Sequence, residues 1–199
     1  MSPILDPLAE IRADRTEARK IQDANADTCF LALASKQGEA SVRTLVLRDI
    51  VGRAFRLFMN NTSPKWQLLT SGATYELLLW YPSQQKQYRI RGETNLVDTE
   101  EVKSNWLRRP QGSKYLDYVY KEFAPQSSEI SSRAVLTDEI TRLKKTYKPD
   151  GMTAPDSAMG VELIANHIEM LDLNREDRIH DRRVYSFEAS GWQERFIIP

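Results

Sequence analysis

Between Thr28 and Met59 the chain carries three β runs with too little sequence between them for a crossover. Thr28 to Ala34 and Ala40 to Arg48 are joined by Ser35-Lys36-Gln37-Gly38-Glu39, a hairpin signal. Ala54 to Met59 follows after Asp49-Ile50-Val51-Gly52, which reads as a turn. Parallel neighbours need a connection of about a dozen residues or more, so these strands must pair antiparallel. Ala73 to Tyr81 and Gln84 to Val97 repeat the pattern as a longer hairpin across Pro82-Ser83. The chain closes in the same way: a strand region over Met159 to Leu173, a turn at Asn174 to Asp177, and a hairpin of Arg182 to Glu188 with Trp192 to Ile198. The reading is a mostly antiparallel β protein with several helices, consistent with a barrel.

The second of these strands is unusual. Arg43-Thr44-Leu45-Val46-Leu47-Arg48 sets four aliphatic or β-branched residues between two arginines. Such a run predicts a strand covered on both faces. Guanidinium groups sit badly beside buried strands unless an anion meets them, and at roughly 16 Å apart the pair suits an elongated anionic ligand. The ordinary alternative is that both arginines mark strand ends and reach out to water. In the later hairpin, Gln87, Arg89 and Arg91 share one face, the pattern of a solvated surface.

Helices fill the remainder. Pro3 and the apolar residues Ile4, Leu5, Leu8, Ile11 and Ile21 predict a helix over residues 3–24. Ser63 as N-cap and Pro64 at the first helical position predict a short helix to about Thr70, with Gly72 beyond its end. Its free N–H groups, with Lys65, are a place where an anion could settle. Thr99 is expected to cap a helix that closes at Arg108-Arg109-Pro110. Ser113 to about Phe123 interleaves Tyr115, Leu116, Tyr118, Val119 and Tyr120, a spacing that favours core packing over base stacking. Ser131 to Tyr147 places Ile140, Leu143 and Tyr147 on one face, and Lys148 to Ser157 is a loop. Only 42 residues follow that loop, too few for an independent core, so residues 1–199 read as a single domain.

Several function classes are disfavoured. Lys plus Arg and Asp plus Glu each total 28, so no net charge points to nucleic acid or a membrane surface. The single cysteine, Cys29, lies in an apolar strand and reads as a small buried hydrophobe. The first residues carry no secretory pattern and no apolar run approaches 18 residues, which predicts a cytoplasmic or nuclear setting. His167 and His180 are far apart, with no metal-site spacing around them. No Gly-x-Ser-x-Gly elbow, Gly-x-Gly-x-x-Gly turn or phosphate loop occurs.

Six short motifs, in order, resemble the pyridoxamine 5′-phosphate oxidase family. They are Arg43 to Arg48; Phe58-Met59-Asn60-Asn61-Thr62-Ser63-Pro64-Lys65; Gln87 within Lys86 to Gly92; Arg109-Pro110 with Ser113; Gln126-Ser127; and Arg178-Ile179-His180-Asp181-Arg182. The resemblance runs from about Thr28 to Pro199. It implies a mainly β (α+β) fold, an antiparallel FMN-binding split β-barrel with peripheral helices. Residues 1–27 would form an N-terminal helix and 159–199 the strands that complete the barrel.

The resemblance also implies roles. FMN would be held by Arg43, Arg48, Phe58, Met59, Ser63, Lys65, Gln87, Gln126, Ser127 and Arg182, with Arg43, Lys65 and Ser63 on its phosphate. The substrate would meet Arg48, Arg109, Ser113, Arg178 and His180, the last two being the catalytic pair. Two copies of the chain would share the flavin sites, with Gln87 reaching across. The implied reaction moves a hydride equivalent from a small amine or alcohol, with pyridoxamine 5′-phosphate as the reference substrate, and dioxygen as final acceptor.

Four departures from the family pattern gather mostly on the substrate side. Asn105 stands where the family has a phosphate-binding tyrosine, and Leu171-Asp172 where it has a flavin-contacting tryptophan. Pro64 replaces an arginine, and extra residues lie around Leu116 to Pro125. These departures keep a second reading open: a non-catalytic FMN-binding protein with a degenerate substrate pocket. A haem-binding relative would need a histidine or cysteine ligand, whereas His167 reads as a solvent-facing strand residue. Ordinary roles also exist for Arg109, as a helix C-terminal cap, and for His180, as a hydrogen-bonded structural histidine.

Overall fold

The computed structural model describes residues 5–173 and 176–199. Among the described residues nine strands form one antiparallel sheet and five α-helices accompany them. The described residues divide into two compact units. The first comprises the chain up to Leu57, Ala73–Asn95 and Glu162–Pro199; the second comprises Phe58–Gly72 and Leu96–Val161.

In the first unit, β1 (Thr28–Ala34) lies between β2 (Ala40–Val46) and the later strand β5 (Thr74–Tyr81), and β5 pairs with β6 (Lys86–Leu96). Short β3 (Asp49–Val51) pairs with β4 (Ala54–Asn60) at the far end of the strand order β2-β1-β5-β6-β7-β4-β3. The long β7 (Ala158–Asp172) also carries the hairpin β8 (Asp181–Glu188) and β9 (Gly191–Phe196). Alternation sets the core: Leu31 faces Leu77, Leu77 faces Ile90, and all three are fully buried. Each such side chain contributes about 1.5–3 kcal/mol through burial. At Gly92 an added Cβ would lie 1.9 Å from the Ile164 carbonyl oxygen, so β6 and β7 approach here only because the side chain is absent.

Helix α1 (Pro7–Lys20) begins later than expected. Asp6 is its N-cap, accepting the Leu8 N–H at 3.0 Å, and Pro7 rather than Pro3 holds the first helical position. It stops before Gln22, whose φ of 54° is left-handed. Among the described residues the buried guanidinium of this unit is that of Arg15, 5% exposed, which donates to the Ala26 carbonyl at 3.2 Å and to Asp27 at 2.8 Å, and also to the Leu47 carbonyl. That residue carried no expectation from sequence.

Two expectations about this unit are corrected. Asp49–Val51 is a strand, with the turn falling at Gly52 (φ 54°) and Arg53. The apolar run of β2 is not covered on both faces within one chain. The strand edges the sheet, and Val42 and Val46 are 61% and 62% exposed. The run reports hydrophobic surface, and the edge position leaves that surface bare.

The second unit is helical. Ser63 caps α2 (Pro64–Thr70), and Gly72 follows with φ 81°. Helix α3 (Thr99–Leu107) is capped by Asp98, not Thr99: the aspartate accepts the Glu100 N–H at 2.8 Å and outcompetes the neighbouring hydroxyl as a capping group. Helices α4 (Gln111–Glu122) and α5 (Arg133–Thr146) pack Tyr115, Tyr118, Val119 and Leu143 against Val102 and Trp106. The aromatic stripe of α4 is therefore core. Ile140 and Tyr147 pack on the same cluster, and the Tyr118 and Tyr147 ring centroids lie 4.6 Å apart.

Candidate functional site

The expected site residues fall into groups, each inside one unit. In the second unit they are organised by the end of β4. Asn60, 2% exposed, accepts the Thr62 hydroxyl at 2.7 Å and the Thr62 N–H at 3.0 Å, and its own amide reaches the Ser157 hydroxyl at 3.0 Å. Thr62 in turn accepts the Gln126 backbone N–H at 3.0 Å. Gln126 turns its side-chain oxygen to Lys65 Nζ at 3.5 Å, and Lys65 is only 8% exposed. Five residues from three separate stretches of sequence, 60–65, 126 and 157, are so held in one net. Asn60 and Thr62 were quoted in the motif but given no role; a buried polar pair has no local signature that separates it from a turn.

Around this net, Met59 is buried, and Phe58 is half-buried against the helical core. Ser63 donates its hydroxyl to the Asn60 carbonyl at 2.7 Å while accepting the Trp66 N–H at 3.4 Å, so that hydroxyl is committed to the cap. Ser127 is exposed with φ 75°, a left-handed conformation that costs a non-glycine residue about 1–2 kcal/mol. A nearby cavity of about 330 Å³, lined by Trp66, Val97, Val102, Pro155 and Met159 among others, touches none of the expected site residues.

Arg109 and Ser113 belong to the same unit, at the α3–α4 junction. The Arg109 guanidinium pairs with Asp117, a residue 2% exposed that also accepts the Trp106 indole N–H at 2.7 Å. Burial pushes the Asp117 carboxyl above its ordinary range, and Arg109, Trp106 and Asn60 hold it back. Ser113 is half-buried in the first turn of α4, with its N–H on the Pro110 carbonyl at 3.0 Å. Sequence reading missed Asp117. Its one available signal was a carboxylate interrupting the apolar stripe Tyr115-Leu116-Asp117-Tyr118-Val119.

In the first unit the expected residues are distributed over β2, β6, β8 and the segments beside them. Arg43 is exposed on β2 and donates to the neighbouring Val42 carbonyl at 2.9 Å. Arg48 is half-buried beyond the strand end, its N–H on the Arg56 carbonyl at 3.1 Å. Gln87 is half-buried on β6 opposite Trp80. Arg182, on β8, pairs with Glu169 at 2.8 Å, and Arg89 meets the same carboxylate at 3.2 Å. Arg89 and Arg91 also pair with Glu76, and Arg91 lies 2.8 Å from His167 Nε2. The Gln87–Arg91 face is thus an ion-pair lattice across four strands rather than a simple solvated surface. His167 is half-buried within it; burial, then the Arg91 charge, lowers its pKa from the ordinary histidine value.

Arg178, Ile179 and His180 precede β8. Arg178 is exposed with φ 62°, Ile179 is 74% exposed and His180 is half-buried. Leu171, where the family tryptophan would stand, is half-buried opposite Arg182. The expected turn at Asn174 to Asp177 lies partly outside the described residues. Among the described residues no three of the His, Cys, Asp and Glu side chains group as a metal site, and no helix is long and apolar enough to cross a membrane.

The antiparallel sheet and its helices are those of the FMN-binding split-barrel class. PhzG from Burkholderia lata, solved with tetrahydrophenazine-1-carboxylic acid, matches with a TM-score of 0.87 over 100% of this chain and 95% of its own, at 21% identity. A pyridoxamine 5′-phosphate oxidase-related, FMN-binding protein from Nostoc punctiforme matches with a TM-score of 0.76, covering 99% and 100%, at 17% identity. In sequence, residues 16–147 match the family described as pyridoxamine 5′-phosphate oxidase. The pyridoxine/pyridoxamine 5′-phosphate oxidase of Microcystis aeruginosa is 32% identical over 170 residues, 85% of this chain and 77% of that one. That of Azotobacter vinelandii is 27% identical over 197 residues, covering 98% and 89%. The chain belongs to the pyridoxamine 5′-phosphate oxidase family.

Proposed function

We propose that the chain is an FMN-dependent oxidoreductase that oxidises a small amine or alcohol, with residues 1–199 acting as one flavin-binding domain. The observation that carries this reading is the buried Lys65 beside Gln126, tied through Thr62 to Asn60, in a chain of this family. The Lys65 ammonium and the Gln126 side-chain amide form a donor pair that fits a phosphorylated ligand with a polyol chain. Lys65 and Arg43 would supply charge to the phosphate, with Ser63 shaping the helix start beside it. Phe58, Met59, Gln87, Gln126 and Ser127 would line the rest of the cofactor, and Arg182 would approach its ring.

Bound FMN would supply the two-electron acceptor that later reduces dioxygen to hydrogen peroxide. The chain's own part is positioning and electrostatics. Arg48, Arg109 and Ser113 would seat the substrate, while Arg178 and His180 would lie over it and orient the carbon that loses its hydride. The amine or hydroxyl attached to that carbon gives its N–H or O–H proton to solvent, so that loss of hydride from carbon and proton from the heteroatom leaves an imine or carbonyl.

The bare face of β2 supports a partner. Val42 and Val46 call for a covering surface, and a second copy of the chain is the occupant we propose, with flavin sites shared across the interface and Gln87 reaching into the neighbour's. Residence in the cytoplasm belongs to the same proposal. An alternative, FMN binding without turnover, is favoured by the departures at Asn105 and Leu171.

An absorption spectrum tests the cofactor. The purified protein should be yellow or take up FMN on titration, and given pyridoxamine or pyridoxamine 5′-phosphate in air it should release hydrogen peroxide. A yellow protein inert towards a panel of amines and alcohols favours the alternative. A colourless protein that takes up no FMN ends both readings.

A further inference from the structure

We infer that the subsite beside Arg109 receives a non-phosphorylated ligand bearing a hydrogen-bond donor, and that Asp117 is the residue that sets this preference. The inference rests on the proposed reading of Arg109 and Ser113 as substrate contacts.

The first observation concerns charge. Arg109 is a quarter exposed and its guanidinium pairs with a carboxylate that is 2% exposed. Asp117 cannot readily swing away, because the Trp106 indole donates to it at 2.7 Å and Asn60 adds a further hydrogen bond. The pair therefore sums to no net charge, and a dianion arriving at Arg109 would meet the Asp117 carboxylate directly behind it. One neighbouring cation, Lys114, is engaged elsewhere: it donates to the Leu107 carbonyl at 2.7 Å, and its ammonium stands 5.1 Å from the centroid of the Trp106 ring.

The second observation concerns hydrogen-bond polarity. Asn105 lies four residues before Arg109, in the last turn of α3, and is 2% exposed, and its Oδ1 has no hydrogen-bond partner. A buried, unsatisfied acceptor is stabilised by a donor and destabilised by another acceptor. A phosphate dianion offers only acceptors, whereas a free hydroxymethyl or amine group offers an O–H or N–H. Charge and polarity so point the same way, from two different residues. The chemical class they select is a non-phosphorylated amine or alcohol.

Calorimetric titration of the purified chain, with FMN supplied, compares pyridoxamine 5′-phosphate with pyridoxamine. The wild-type protein should bind the phosphorylated compound no more tightly than the free one, and inorganic phosphate should not compete. Asp117→Asn releases the Arg109 charge and should move the ratio towards the phosphorylated compound by about ten-fold or more, as a freed charge-assisted contact allows. A wild-type preference for the phosphorylated compound of about ten-fold or greater overturns the inference. So does a folded Asp117→Asn protein with an unchanged ratio, or a chain that binds neither compound. Should the variant fail to fold, the wild-type ratio decides alone. Colour after gel filtration reports on the flavin reading separately, so the two can fail independently.

Discussion

Glu169 holds Arg182 through two contacts on one oxygen, Nε at 2.9 Å and Nη2 at 2.8 Å, from a position 8% exposed. Because Arg89 meets the same oxygen, the carboxylate ties β6, β7 and β8 together at one point. Glu169→Gln keeps the shape and removes the charge, leaving two guanidiniums facing a neutral amide. The expected cost is about 1–3 kcal/mol, since both arginines stay partly in water, and urea unfolding should show it as a lower midpoint with an unchanged slope.

Lys65→Met tests the cofactor reading without touching the fold. Methionine fills the same buried volume in α2, so circular dichroism should be preserved. Loss of one charge-assisted contact should weaken FMN binding about ten- to a hundred-fold, read by quenching of flavin fluorescence. An unchanged affinity would remove Lys65 from the site.

The two tight glycines should rank in a definite order. Gly160→Ala meets the Val97 Cβ at 2.8 Å, a clash relieved by a small backbone adjustment, whereas Gly92→Ala meets the Ile164 carbonyl oxygen at 1.9 Å, far inside contact distance and on a paired strand. Gly160→Ala is expected to cost about 1–3 kcal/mol and Gly92→Ala more, both measured by thermal unfolding.

His167 predicts the sign of one pH effect. Its folded pKa is lowered, first by burial and then by Arg91, so the folded chain favours the neutral ring. The stability this contributes is complete above the ordinary histidine value of 6.5 and is lost as pH falls below it towards the folded value. Unfolding free energies across this window should slope upward with pH, and His167→Gln should flatten that slope.

Val46→Glu tests the bare strand face. The wild-type chain should sediment as a dimer and the variant as a monomer with native circular dichroism, because Val46 is 62% exposed and its substitution disturbs no core of its own chain. A monomeric wild type would dismiss the proposed interface.

Long alternating strands and capped helices were legible because their signals are local. Ser63-Pro64 and the Tyr115–Val119 stripe need only neighbours to be understood. Three residues of β3 were too short to outweigh a turn signal, and Asp98 and Thr99 are both capping types, so only geometry could choose between them. The apolar run of β2 told of hydrophobic surface but not of which chain covers it. Arg15 and Asp117 were invisible for a different reason. Their partners, Leu47 for the first and Trp106 for the second, come from other elements, and a buried charge is defined by what surrounds it. The same holds for the candidate site: motifs named Lys65 and Gln126 separately, while the net joining them runs through Asn60 and Thr62.

Cys29 has a practical use. It is the chain's single thiol, fully buried on β1 opposite Leu45, and burial raises its pKa to about 12. A maleimide dye should therefore ignore the native protein and label it only when the first hairpin opens. The labelling rate becomes a clock for that opening, and a slower clock in the presence of FMN would register binding without any enzymatic assay.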